Sequence, residues 1–298
     1  MPPKNNFDSA GERPGLEFLK ALRGDVSKVS AVGRSRQERR LLAQAILETG
    51  EEAENPLEML HCVLRAVRVD PGCLPARTLL ATLAGGPAEE LIEEFQQIVS
   101  DGEADLGPEF MAENQGHFWL IGETRPYMSA RARLAQLLSD AGRLDEAIAH
   151  YEALLVLNPG DNQGLRYPLL ASYLQTGRLG PLGKLFEEYD EESALFLWGR
   201  VLEQYLLTDF TKAAVILKKA RKENRYVEDL LTGRRSAPNQ MPDYYGPGDR
   251  NEAAICADSI GKAWARYPEA VAWLSRQRPS GKKPASGKTK SKPSGYVQ

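Results

Sequence analysis

Residues 128–161 read MSARARLAQLLSDAGRLDEAIAHYEALLVLNPGD, and the fold follows from the spacing inside that stretch. Leu134, Ala135 and Leu138 recur at the one-, three- and four-residue intervals that put apolar side chains on one side of a helix. Gly142 supplies a turn, and a second apolar-periodic run then carries Ala147, Tyr151 and Leu154 before Pro159 stops it. Each position has a mechanical reason. Small Ala147 lets two helices approach closely, while Tyr151 and Leu154 fill the space behind it. The stretch therefore predicts an antiparallel pair of helices joined by a tight turn.

The pattern repeats along the chain. Leu169, Leu170, Tyr173, Gly177, Leu182 and Phe186 follow the first copy in phase, and Ala213, Leu217 and Ala220 continue it. Upstream, Leu42, Ala43 and Ile46 with Gly50 make a first helix, and Met59, Val63, Ala66 and Pro71 a second. Leu74–Leu83 and Glu89–Val99 offer a degenerate hairpin between these and the clear copy. A period of about 34 residues in two helices resembles the tetratricopeptide (TPR) repeat. What that resemblance implies is an all-α, right-handed TPR-like α-solenoid of about five stacked hairpins with a C-terminal helical cap, since one hairpin cannot bury its own apolar face.

The expected organisation has four parts. Residues 1–33 form a polar leader with one short amphipathic helix through Leu16, Phe18, Leu19 and Leu22, ended by Gly24. Residues 34–235 form the repeat array, 236–278 the cap, and 279–298 a basic tail too poor in apolar residues to fold. The chain has 38 basic and 41 acidic residues, a net charge of −3. Lys282, Lys283, Lys288, Lys290 and Lys292 give the tail +5 with no acid, which leaves 33 basic against 41 acidic residues, or −8, for residues 1–278. An acidic body argues against a broad nucleic-acid surface on the folded part. Cys62, Cys73 and Cys256 form no CxxC pair and no disulfide framework. With no signal-peptide pattern and no apolar run of about 18 residues, the expectation is a cytoplasmic protein with no membrane span.

Three segments depart from plain TPR sequence: GHFWLIGETRPYMSARARLAQLL at 116–138, NPGDNQGLRYPLLASYL at 158–174 and MPDYYGPGDRNEAAICADSIGKAWARYPEAVAWL at 241–274. Together they resemble bacterial relatives of the suppressor-of-tumorigenicity (seven) TPR-like family. Gly248, Asp249, Glu252, Ala253, Trp264, Ala270 and Leu274 match that family's C-terminal block, in which a Gly-Asp turn precedes an Ala-rich helix and a Trp. The resemblance covers roughly residues 110–276 and implies a TPR-type protein without a defined reaction. Eukaryotic relatives are membrane-associated, and this chain lacks the transmembrane segment that would carry that property over. Some bacterial proteins with similar blocks hold a Cys-rich zinc-chelating segment, which is also missing here.

Candidate site residues fall in two groups. Asn162, Gln163, Arg166 and Tyr167 begin the first helix of the repeat after Pro159, with Arg125 and Tyr127 from the preceding hairpin. First helices of a TPR stack line its concave groove, so these side chains are placed to read a peptide backbone. The alternative is that Asn162 caps the helix and Arg166 pairs with a nearby acid. Ser129, Ala132 and Gln136, expected to face the same groove, do not make the Lys/Asn clamp for a terminal carboxylate. The second group is Tyr244, Tyr245, Gly248, Asp249, Glu252 and Trp264. Asp249 and Glu252 are either a capping pair at a helix N-terminus or carboxylates for a partner or cation.

Other chemistry is thin. Glu113 and His117 share a helical face at i,i+4 but lack a third metal ligand. No phosphate-binding loop and no nucleophile–base motif is present. Arg34, Arg36, Arg39 and Arg40 sit among acids without interleaved aromatics, the pattern of a solvated helix face. The functional expectation is thus a non-catalytic scaffold holding a protein or peptide in its concave groove, with no cofactor, no metal and no small-molecule substrate. The competing readings are an enzyme or metal-dependent protein using Asp249 and Glu252, and RNA binding through the basic tail.

Overall fold

A computed structural model describes residues 35–51 and 55–277. The short helix expected through Leu16 to Leu22 and the basic tail lie outside them. The described residues contain fourteen α-helices, two 3₁₀ turns and no strand: the protein is all-α. The helices are α1 (Arg36–Glu51), α2 (Pro56–Val69), α3 (Leu74–Ala84), α4 (Ala88–Leu106), α5 (Pro108–Glu113), α6 (Arg125–Asp140), α7 (Leu144–Leu157), α8 (Arg166–Thr176), α9 (Leu179–Glu188), α10 (Ala194–Leu206), α11 (Phe210–Glu223), α12 (Val227–Leu231), α13 (Arg250–Ala265) and α14 (Pro268–Arg276).

Two compact units divide between Glu191 and Glu192. In the first, α1 packs on α2, α3 on α4, α6 on α7 and α8 on α9, and each pair also touches the next through α2 with α3, α4 with α6 and α7 with α8. In the second, α10 packs on α11, and α13 packs on α10, α12 and α14. This division differs from the one expected from sequence. The last hairpin shares its core with the C-terminal helices, because α10 buries residues against both α11 and α13, so the boundary falls inside the 34–235 segment and not at its end.

The clear repeat forms α6 and α7 as its spacing dictates. Leu134, Ala135, Leu138, Ala147, Tyr151 and Leu154 are all buried. Burying a Leu side chain of this kind stabilises by roughly 1.5–3 kcal/mol against leaving it in water. Gly142 adopts φ 78°, the left-handed turn that glycine takes without a Cβ penalty. The following copy repeats the arrangement, with Leu169, Leu170, Tyr173, Leu182 and Phe186 buried and Gly177 at φ 70°. Gly50 serves differently. It lies within the last turn of α1, where a Cβ would stand 2.7 Å from Cys62 Cβ, so its role is to let α1 and α2 touch.

Between the second and third hairpins the chain inserts α5 and two 3₁₀ turns, Phe118–Leu120 and Gly122–Thr124. An edge-to-face chain of rings, Phe110 to Phe118 to Tyr127, with centroids 6.1 and 6.4 Å apart, fastens this insert to α6. Buried Thr124 donates its hydroxyl to the carbonyls of Phe118 and Ile121 and closes both turns. Among the described residues no helix is long and apolar enough to cross a membrane.

The close approach of α6 and α7 predicts the effect of one substitution. Ala147→Leu adds three carbon atoms to a fully buried position and is expected to destabilise by about 1–3 kcal/mol, read from the urea midpoint of unfolding.

Candidate functional site

The first unit carries an open cavity of about 570 Å³. One face of α1 supplies Arg40, Gln44, Leu47 and Glu48; the start of α3 supplies Cys73, Leu74 and Pro75; the end of α4 supplies Gly102, Asp105 and Leu106; and the entry to α6 supplies Glu123, Pro126 and Tyr127. Gly102 keeps the wall thin: a Cβ there would meet Tyr127 Cδ2 at 2.9 Å and Leu74 Cδ1 at 3.1 Å. Both Arg36 and Arg40 pair with Asp105, and Arg40 Nε also stands 3.7 Å from Asp70. These bonds place the N-terminal arginine cluster against α4, which accounts for Arg36 and Arg40 as scaffold residues. Glu48 accepts from Gln44 at 3.2 Å. Among the described residues, neither Glu48 nor Glu123 forms an ion pair.

Sequence reasoning did not single this cavity out. Its lining comes from four helices separated by up to about ninety positions, and no single stretch of sequence holds two adjacent walls. Cys73 sits in that wall, buried, and burial pushes its thiol up, so it stays protonated and is a poor nucleophile. Burial also raises Cys256, in the second unit.

Tyr127 is one of the residues assigned to a groove, and the structure places it inside. It is fully buried, its hydroxyl donates to Glu103 Oε1 at 2.8 Å, and Arg131 Nη1 donates to that hydroxyl at 2.5 Å. Tyr127 is nonetheless part of the cavity lining. Burial raises its hydroxyl well above the ordinary phenol range. Arg131 Nε also donates to His150 Nδ1 at 3.3 Å, and burial followed by the Arg131 charge holds that imidazole below its usual value, in its neutral form. Arg125 is exposed; it donates to the Trp119 carbonyl at 3.0 Å and lies 5.0 Å over the Trp119 ring.

Asn162 and Gln163 precede α8 and lie in the turn before it. Asn162 does not cap the helix: Leu165 holds the N-cap position, and Asp161 takes up the amides there, its carboxylate accepting from Leu165 N at 2.6 Å and Arg166 N at 3.1 Å. Asp161 holds φ 45°, an uncommon value for a residue with a Cβ, and its side chain is wholly buried. Arg166 Nη1 pairs with Asp161 Oδ2 at 2.8 Å and Nε with Glu191 Oε2 at 3.1 Å. Its guanidinium also stacks 4.3 Å from Tyr167 and 5.6 Å from Tyr189, whose hydroxyl donates to the Pro159 carbonyl. Arg166 and Tyr167 thus tie the start of α8 to the end of the unit. Of this group, Asn162 is exposed, and Gln163 Oε1 is buried without a hydrogen-bond partner among the described residues.

In the second unit, Asp249 Oδ1 accepts from Glu252 N at 2.8 Å and Oδ2 accepts from Gly246 N at 2.7 Å. Glu252 Oε2 reaches back to Gly248 N at 2.7 Å and takes a second bond from Asn224 Nδ2 at 2.8 Å. This is the geometry of a capping box at the start of α13. Gly248, at φ 76°, stands where a Cβ would be 3.1 Å from the Glu223 carbonyl. Trp264 is fully buried in the core, whereas Tyr244 and Tyr245 are 79% and 56% exposed. Glu113 ends α5 and His117 lies past the turn that follows, so the two do not share a helix. Among the described residues no three His, Cys, Asp or Glu side chains gather as a metal site would require. No protein-family model matches the chain, and no curated protein aligns with it.

Two expectations follow from these caps. Asp161→Ala removes a buried cap and leaves Arg166 half-paired, and is expected to cost about 2–3 kcal/mol in chemical denaturation. Asp249 is held below the usual carboxylate range by the Glu252 and Gly246 amides. A depressed folded value means that its contribution is full above the unfolded carboxylate pKa, about 3.9, and is lost as pH falls through the folded one. The stability gap between wild type and Asp249→Asn should therefore be widest near about pH 6 and close toward about pH 3.

Proposed function

We propose that this chain is a non-catalytic scaffold that binds a protein or peptide segment, built as a right-handed TPR-like α-solenoid of the kind its resemblance to the suppressor-of-tumorigenicity (seven) TPR-like family implies, and working in the cytoplasm. The observation that carries this reading is the open cavity between α1, α3, α4 and α6. Its volume, about 570 Å³, falls in the roughly 300–1,000 Å³ range of ligand pockets. Leu47, Leu74, Leu106, Pro75 and Pro126 give it an apolar lining, and Glu48 and Glu123 stand at it with no ion pair among the described residues. Apolar side chains of a partner would leave water there while its Lys or Arg residues meet the two carboxylates. On this reading the groove takes in Tyr127 and its neighbours Glu123 and Pro126 but not the Arg166 segment.

The catalytic alternative, built on Asp249 and Glu252, has less to support it. Both Asp249 oxygens and one Glu252 oxygen accept hydrogen bonds from backbone amides, which is the work of a cap. The thiols of Cys73 and Cys256 are protonated by burial, a second point in favour of a binding role.

A random peptide library selected on the full chain tests the proposal. Wild type is expected to enrich peptides that combine apolar residues with Lys or Arg. Glu48→Lys with Glu123→Lys should keep the helical circular dichroism and lose that enrichment by about tenfold or more. No enrichment by wild type, or the same enrichment by the double variant, would remove the cavity from consideration.

A further inference from the structure

The two compact units carry opposite charge. Residues 1–191 hold 19 basic and 30 acidic residues, net −11; residues 192–278 hold 14 basic and 11 acidic, net +3, and the five tail lysines bring residues 192–298 to +8. The acidic body inferred from composition is therefore the first unit alone. In the second, positive charge concentrates on the outer face of α11. Lys212, Lys218, Lys219 and Lys222 are exposed there, opposite the buried Ala213, Leu217 and Ala220, and Arg225 continues the row past the helix end. Lys219 pairs with Glu192 at 2.6 Å. Lys212, Lys218 and Lys222 form no ion pair among the described residues.

Exposed aromatic rings stand at the same end of this unit. Asn224, the residue after α11, donates from Nδ2 to the Asp249 carbonyl at 2.8 Å, which joins the end of α11 to the start of α13. Asn251 Nδ2 donates to the Tyr244 carbonyl at 3.0 Å, so the loop bearing Tyr244 and Tyr245 is tied to the first turn of α13 beside exposed Arg250. Arg225 and Arg250 both lie over the Tyr226 ring, at 5.0 and 5.2 Å. The end of α14 adds to this: Arg221 of α11 donates from Nη1 to the carbonyl of Gln277 at 3.1 Å, so the last described residue stands beside the basic helix. Five lysines follow within residues 279–298.

We propose that the α11 face, with Arg225, Arg250, Tyr244 and Tyr245, is a docking surface for a single-stranded nucleic acid, whose phosphates meet Lys218, Lys222 and Arg225 and whose bases stack on the exposed tyrosines. A row of cations alone would suit any polyanion. The exposed rings favour a polyanion that has flat, stackable groups, because base–aromatic stacking and a positive track are the two parts of sequence-tolerant single-strand binding. The surface lies in the second unit and is independent of the cavity in the first.

Fluorescence anisotropy of the full chain with a short labelled single-stranded oligonucleotide, titrated over a range of salt, tests this. The triple variant Lys218→Gln, Lys222→Gln, Arg225→Gln is expected to weaken binding by about tenfold or more and to flatten the log–log salt slope by about 2. Tyr244→Ala with Tyr245→Ala is expected to lose about five- to hundredfold for the oligonucleotide while leaving the affinity for heparin, a polyanion without bases, unchanged. All five residues are exposed, and retained helical circular dichroism checks that both variants fold. Absence of wild-type binding at low salt, or wild-type affinity in the triple variant, overturns the proposal. So does polyglutamate binding that matches the oligonucleotide and ignores the tyrosine substitutions, which would assign the face to an acidic protein segment.

Discussion

A two-helix hairpin has apolar side chains on more than one face and can cover only one of them with its own two helices. That constraint orders this molecule. In the first unit it is met by neighbours in sequence, each hairpin lending its second helix to the first helix of the next. In the second unit the C-terminal block meets it, and α13 and α14 close over α10. The polar features of both units serve the same requirement. Asp161 turns the chain into α8 at the angle the packing needs, and Asn224 holds the start of α13 against the end of α11 while its own carbonyl accepts from fully buried Trp198 at 3.2 Å.

How much of this could be read from the residues depends on whether the cause was local. Helix periodicity is local, so the hairpins from Leu42 to Ala220 and the pair of helices after Asn251 were legible. Gly142 and Gly177 were legible because a left-handed turn leaves one residue type in place. The cap of α8 was not. Asp161 and Asn162 are adjacent, and both suit an N-cap; only the three-dimensional turn, with Asp161 at positive φ, decides between them. Gly50 shows the converse, a glycine whose turn-like position in the repeat conceals a packing role against Cys62.

The site residues separate in the same way. Arg166 and Tyr167 looked available for a partner because their acids, Asp161 and Glu191, stand on the two flanks of the α8–α9 hairpin and meet only in the fold. The cavity was invisible because its walls come from four helices. Net charge misled for a related reason: the −8 of residues 1–278 is the sum of −11 over residues 1–191 and +3 over residues 192–278, and only the boundary at Glu191 separates them.

The way α10 is covered also bears on the order of assembly. In the first unit each hairpin packs on the hairpin next to it in sequence, so its apolar faces can be covered stepwise as the chain emerges from the ribosome. α10 cannot finish. Its second face waits for residues 250–276, which follow only after α11, α12 and the loop bearing Tyr244 and Tyr245, and that face stays uncovered until they arrive. The second unit is thus half-built while α11 and α12 emerge, an interval in which a chaperone or a protease can reach α10.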